Sequence, residues 1–250
     1  MEQFQFEKLI LKRYDSRGEM GEAAGAHAVA IMKKLLAQKS EINVLFAAAP
    51  SQNEVLAAVA SSDVDFSRIH ALHMDEYIGL ANDAPQRFSH YLDEHIFGLC
   101  PFKSVAYLGA VEVGEAMCNR YEQTLRGHPL DMAFIGLGEN GHIAFNDPHE
   151  ADFQDKALVK IVSLDQRCRE QQVHDGCFES LDKVPSQAVT LTIPAIMAAP
   201  YLVCTVPAAA KAEAVMRTAH DPISEACPGT ILRTHQNCVL FCDAQSGKHL

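Results

Sequence analysis

The sequence predicts an α/β fold: three layers, a mainly parallel Rossmann-like sheet, and helices on both of its faces. Short runs that are apolar throughout recur along the chain, as strands buried on both faces must be. Between them lie stretches whose apolar residues return at helical spacing, and strands separated by helices pair in parallel. The 250 residues contain no low-complexity tract, internal repeat or Pro/Gly/Ser-rich linker, so one domain spanning 1–250 is expected.

Taken in order, Ser16 followed by Glu19 reads as a capping box opening a helix. Behind it Met20, Ala24, Ala28, Ile31 and Leu35 share one face. The run 44–49 is apolar enough for a buried strand; Pro50 and Ser51 break it, and a helix follows over 52–60. A strand is expected over 69–74, with amphipathic helices over 87–97 and 115–126. DMAFIGL (131–137) is another buried strand, leading into a loop with Gly138 and Gly141. Strands are expected over 157–163, 188–193, 201–206 and 239–242, and a helix over 208–218. The region 140–190 reads as less regular. In an open α/β sheet the ligand crevice lies beyond the carboxyl ends of the strands. Four polar segments fall at such ends: Pro50–Gln52, Asp75–Tyr77, Glu139–His142 and the turn leading to Lys211. They are expected to converge on one pocket.

Composition narrows the function. A net charge of −11 argues against a nucleic-acid partner, which would need a basic face, but leaves room for a small anion held by a few local donors. The eight cysteines, at 100, 118, 168, 177, 204, 227, 238 and 242, form no CxxC pair. The opening MEQFQFEKLILKRY lacks the apolar run of a secretory signal, and no stretch approaches the length of a membrane span. A cytoplasmic protein with reduced cysteines and no membrane partner is the expectation. The histidines are scattered and show no ligand-like spacing, so they give no reason to expect a metal.

Two segments carry the chemistry. In His73-Met74-Asp75-Glu76-Tyr77, adjacent carboxylates follow a buried strand. A helix N-terminus would suit such acids; so would a general base whose pKa is raised by desolvation. In GLGENGHIAFNDP (136–148) the spacing G-x-G-x-x-G is present at 136, 138 and 141, but Asn146, Asp147 and Pro148 leave no room for the long helix of a dinucleotide site. His142 there fits a satisfied core histidine as well as a catalytic one.

MDEYIGL and, about sixty residues on, GLGENGHIAFNDP together closely resemble the glucosamine-6-phosphate deaminase family, which is grouped with the 6-phosphogluconolactonases. The HIAFN-acid-P stretch is similar to the deaminase branch. The resemblance implies an enzyme that isomerises and deaminates an amino-sugar phosphate, a small-molecule partner, without a cofactor; a homo-oligomer is left open. It implies Asp75 as enolising base and His142 as the ring-opening acid/base. Asn140 stands where the family has an aspartate that orients the histidine, and Asp147 where it has a glutamate. Lys211 matches a phosphate-binding lysine, and Arg167 is the first candidate for the family's phosphate-binding arginine, with Arg169 second. Ser51, Gln52, Glu76 and Gly141 complete the expected substrate contacts. Ala47-Ala48-Ala49-Pro50-Ser51-Gln52 replaces the family's glycine-rich turn, where backbone N–H groups after Pro50 could still meet an anion. Two alternatives stand beside this reading: a sugar-phosphate lactone hydrolase using His142 on water, and a non-catalytic sugar-phosphate sensor.

Overall fold

The computed structural model describes residues 1–109 and 114–250. The strands are β1 (Glu2–Phe6), β2 (Leu9–Tyr14), β3 (Ile42–Phe46), β4 (Ile69–His73), β5 (Asp75–Tyr77), β6 (Ser104–Ala106), β7 (Met132–Ile135), β8 (Val159–Ser163), β9 (Gln187–Leu191), β10 (Tyr201–Val206) and β11 (Cys238–Asp243). The helices are α1 (Arg17–Gln38), α2 (Asn53–Ala60), α3 (Phe88–Leu92), α4 (Glu115–Gly127), α5 (Gln166–His174), α6 (Ile193–Met197) and α7 (Ala212–His220).

Eight strands form the main sheet in the order β1-β2-β11-β10-β7-β3-β4-β6. Every pairing in it is parallel except β1 with β2. The strands divide their side chains between two cores because successive residues point to opposite faces. Val44 and Phe46 of β3 pack with Met20, Ala24 and Ile31 of α1 and with Val55 and Leu56 of α2. Leu45, from the same strand, packs with Met117 and Tyr121 of α4, Ile196 of α6 and Val215 of α7. This is the expected three-layer, Rossmann-like arrangement.

Local signals explain where the helices start. The Ser16 hydroxyl accepts from the Glu19 N–H at 3.2 Å, and all five expected face residues of α1 are buried. Helix α1 approaches α2 closely because it carries glycine there: a Cβ on Gly21 would lie 2.1 Å from Glu54 Cβ, and one on Gly25 would lie 2.3 Å from Ala58 Cβ.

Two parts differ from expectation. The amino-terminal hairpin β1–β2 was not anticipated; β2 extends the sheet by pairing in parallel with β11. The strands expected over 157–163 and 188–193 form, but in a separate antiparallel sheet of order β5-β9-β8. The chain turns at Met74, between β4 and β5, and Asp75 pairs antiparallel with Thr190.

Between β3 and β7 the strand order reverses direction: β4 and β6 follow on one side, β10 and β11 on the other. Ligand crevices form at such switch points. The segments after β3, β4, β7 and β10 line one pocket there.

Candidate active site

The pocket is walled by Ala47–Gln52 after β3, Met74 and Asp75 after β4, Gly136–Gly138 and His142 after β7, and Pro207, Ala208, Ala210 and Lys211 after β10. Phe88, Phe145, Gln171, Gln172, Asp175 and Arg17 complete it. All four polar strand-end segments therefore contribute to one crevice. Two non-glycine residues on its wall hold left-handed backbone, Ala144 (φ 52°) and Ala208 (φ 80°). Such strain concentrates where surrounding structure fixes a functional geometry.

Asp75 sits where β4 leaves the main sheet and β5 joins the small one, so its position is set from both sides. Its side chain is 5% exposed, and among the described residues its carboxyl has no hydrogen-bond partner. Burial, and then the negative charge of Glu76, push the carboxyl well above its ordinary value. A buried carboxyl that faces a pocket and that none of the described residues hydrogen-bonds is poised to exchange a proton with whatever enters.

Glu76, one residue on, points the other way and does not line the pocket. It is fully buried, accepts from the N–H groups of Tyr77, Phe88 and Ser89 and from the Ser89 hydroxyl, and lies 3.5 Å from Arg87. The expected substrate contact is thus replaced by a structural one: Glu76 satisfies the first N–H groups of α3. That is the helix-terminus reading, realised by one acid of the pair while the other faces the crevice.

His142 is held from behind. Its Nδ1 lies 2.8 Å from Asp147 Oδ1, and the Asn140 side-chain oxygen accepts from its backbone N–H at 3.0 Å. Asn140 also donates from Nδ2 to Asp147 Oδ1 at 2.9 Å and to Asp165 Oδ2 at 3.3 Å. Asp147 is fully buried; burial works to raise its pKa, but hydrogen bonds from His142 and Asn140 outweigh it and hold the carboxyl below its usual range. An ionised Asp147 can only accept, so Nδ1 carries a proton and Nε2 is left to work in the pocket. Asp147 is the direct partner of the imidazole, while Asn140 braces both. The loop closes this tightly only because residue 138 is glycine: a Cβ there would lie 2.2 Å from His142 Cε1.

The other expected contacts divide. Ser51 and Gln52 line the pocket. Gln52 spends its amide nitrogen on Thr205 Oγ1 (2.8 Å) and Ile135 O (3.2 Å), tying the ends of β7 and β10 together, and its backbone N–H donates to Ala49 O. The Gly141 position does not face the pocket. Its φ is +83°, and a Cβ there would strike Cys227 Sγ at 2.5 Å, so the glycine serves loop packing. Lys211 does line the pocket; it is buried, and among the described residues its Nζ has no hydrogen-bond partner. Burial pushes its ammonium down, against the opposing pull of Asp175 and Glu139.

Arg167 is a correction. It lies on the exposed side of α5, paired with Glu213 at 3.0 Å, and is not part of the pocket wall. The face of α5 that does meet the pocket carries Gln171 and Gln172. Helix α5 (QRCREQQVH) is polar almost throughout, so no pattern in its sequence marked that face. All eight cysteines are free.

These features define a class: a switch-point α/β protein presenting an unpaired carboxyl and a carboxylate-backed imidazole to one crevice. Residues 15–241 match the family described as glucosamine-6-phosphate isomerases/6-phosphogluconolactonase, and the chain belongs to that family. It is 33% identical over 223 residues to a glucosamine-6-phosphate deaminase of Streptococcus pneumoniae, covering 89% of this chain and 93% of the relative. A deaminase of the same name from Streptococcus sanguinis is 32% identical over 224 residues, covering 89% and 92%. Among solved structures, one of a monomeric glucosamine-6-phosphate deaminase superposes with a TM-score of 0.85 at 24% identity, over 96% of this chain and 99% of that one. A 6-phosphogluconolactonase from Trypanosoma brucei superposes with a TM-score of 0.79 at 17% identity, over 98% and 100%. No helix among the described residues is long and apolar enough to cross a membrane.

Proposed function

We propose that the protein converts an amino-sugar phosphate, glucosamine 6-phosphate in the first instance, and water into the ketose phosphate and ammonia. The observation that carries the reading is the Asp75 carboxyl, buried, unpaired and facing the pocket. His142 Nε2 delivers a proton to the ring oxygen and accepts one from the C1 hydroxyl, opening the pyranose to an aldehyde. Asp75, ionised, removes the proton from C2, which the adjacent carbonyl acidifies, and returns it to C1. The enolamine between these steps becomes a C2 imine; water adds there, ammonia leaves, and a ketose remains. The buried Asp147 stabilises His142 when it carries the extra proton, and Asn140 keeps the pair aligned. Lys211 attracts the phosphate. A cytoplasmic setting suits such a substrate.

Lactone hydrolysis, the alternative within the family, needs His142 as a base on water but gives the buried Asp75 carboxyl no proton to move. Purified protein would be incubated with glucosamine 6-phosphate, following ammonia and ketose phosphate, and separately with 6-phosphogluconolactone, following acid release. Ammonia with matching ketose is the expected result. Acid release from the lactone alone would transfer the reading to hydrolysis, and saturable binding without turnover of either would make the protein a sensor.

A further inference from the structure

The end of the pocket formed by α5 and Lys211 presents two polar side chains that none of the described residues hydrogen-bonds. Lys211 Nζ has no partner. Gln172 is 6% exposed and lines the pocket, and its side-chain amide has no hydrogen bond among the described residues. Its neighbour Gln171, by contrast, is fully committed: Oε1 accepts from the Glu139 N–H at 2.8 Å and Nε2 donates to Asp175 Oδ2 at 3.2 Å. An amide that opens on a pocket and is committed to no described neighbour is free to bond a ligand there, as donor and as acceptor.

The charge at this end is low. Arg17, the only arginine among the described residues of the pocket wall, is held by Glu54 at 2.7 Å and by the Pro50 carbonyl. Arg167 is paired with Glu213, and Arg169 donates to the carbonyls of Leu181 and Val184. Among the described residues Lys211 is thus the one uncommitted lysine or arginine on the wall, and Asp175 shares that wall. A phosphate dianion is ordinarily gripped by forked guanidinium pairs and several N–H donors. One ammonium and one amide, which can both donate and accept, suit a hydroxyl at least as well.

We propose that Lys211 and Gln172 form a distal subsite of low charge, so that the protein takes unphosphorylated glucosamine as well as its 6-phosphate. Gln172 is then a specificity-determining residue: its amide bonds the oxygen on C6 whether or not that oxygen carries a phosphate, and Lys211 alone rewards the phosphate. The proposal rests on the deaminase reading for its reaction but not for its binding claim.

The test measures kcat/KM for ammonia release from both sugars. The wild type should prefer the phosphate by less than about 100-fold, the scale of a single charge-assisted hydrogen bond; a larger preference overturns the proposal. Gln172→Leu should weaken both sugars by about tenfold, and unchanged constants for both would overturn it. Gln172→Arg should raise the phosphate preference and Gln172→Glu lower it, each variant's fold being checked by circular dichroism. A loss in Arg167→Ala confined to the phosphorylated sugar would also overturn it, by showing a second cation at work. If neither sugar yields ammonia the deaminase reading falls, while calorimetric dissociation constants for the same two sugars still decide the subsite by the same 100-fold criterion.

Discussion

Asp75 and Glu76 are neighbours in sequence and opposites in environment. Alternation along the short strand β5 sends one carboxyl into the pocket and the other beneath α3, where five hydrogen-bonding and ionic contacts occupy it. Sequence placed both acids at a strand end but could not tell which faced the ligand, because β5 pairs with a strand more than a hundred residues away. The unequal environments make a stability prediction. The folded-state pKa of Asp75 is raised, so its contribution to stability is full below the ordinary carboxylate pKa and is lost as pH rises through the folded value. Asp75→Asn should therefore melt higher than the wild type at pH 7, with the gap closing below about pH 4. A variant that melts lower at pH 7 would show that the ionised carboxyl has a stabilising partner.

At the scale of elements, the loop 136–148 and helix α3 support the site. The glycines of the loop were legible as turn residues, but their separate duties were not: Gly138 makes room for the His142 ring and Gly141 for Cys227. Gly138→Ala should cut kcat by at least about tenfold with little change in the thermal midpoint, since the clash falls on a side chain at the pocket; a fully active variant would mean that the ring is not confined. Glu76→Gln should do the reverse. Leaving buried Arg87 without its anion costs about 3 kcal/mol in denaturant titration, while KM stays near the wild-type value. A raised KM at unchanged stability would return Glu76 to the substrate. The helices α1, α2 and α4 and the strands β3, β4, β7 and β10 were readable because each is a local apolar pattern. The small sheet β5-β9-β8 and the hairpin β1–β2 were not, because their partners are set by tertiary pairing and not by periodicity.

At the scale of the whole molecule, topology explains why four separated segments meet. The sheet reverses its winding between β3 and β7, which opens a crevice at their carboxyl ends, and the loops after β4 and β10 border the same opening. This convergence could be argued from sequence, since it needs only strand ends and the rule for open sheets. The distal end of the pocket could not, because α5 turns its glutamines inward and Arg167 outward, a rotation that no spacing marks. The net charge of −11 acts at this scale too. Long-range repulsion of an anionic sugar is screened by salt, whereas the buried Lys211 is screened far less. Raising ionic strength should increase kcat/KM for the phosphorylated sugar by about twofold and leave the unphosphorylated sugar unaffected. An equal response from both would place the effect elsewhere.

The central claim is that the Asp75 carboxyl moves the C2 proton. The direct measurement is ammonia release from glucosamine 6-phosphate by wild type and Asp75→Asn, taken across pH on folded protein. The wild type should lose activity as pH falls, with its acid limb above the ordinary carboxylate value of about 4, because the base must be ionised and its pKa is raised. Asp75→Asn should lose at least about a hundredfold in rate at every pH. Ammonia release by Asp75→Asn at the wild-type rate would contradict the account.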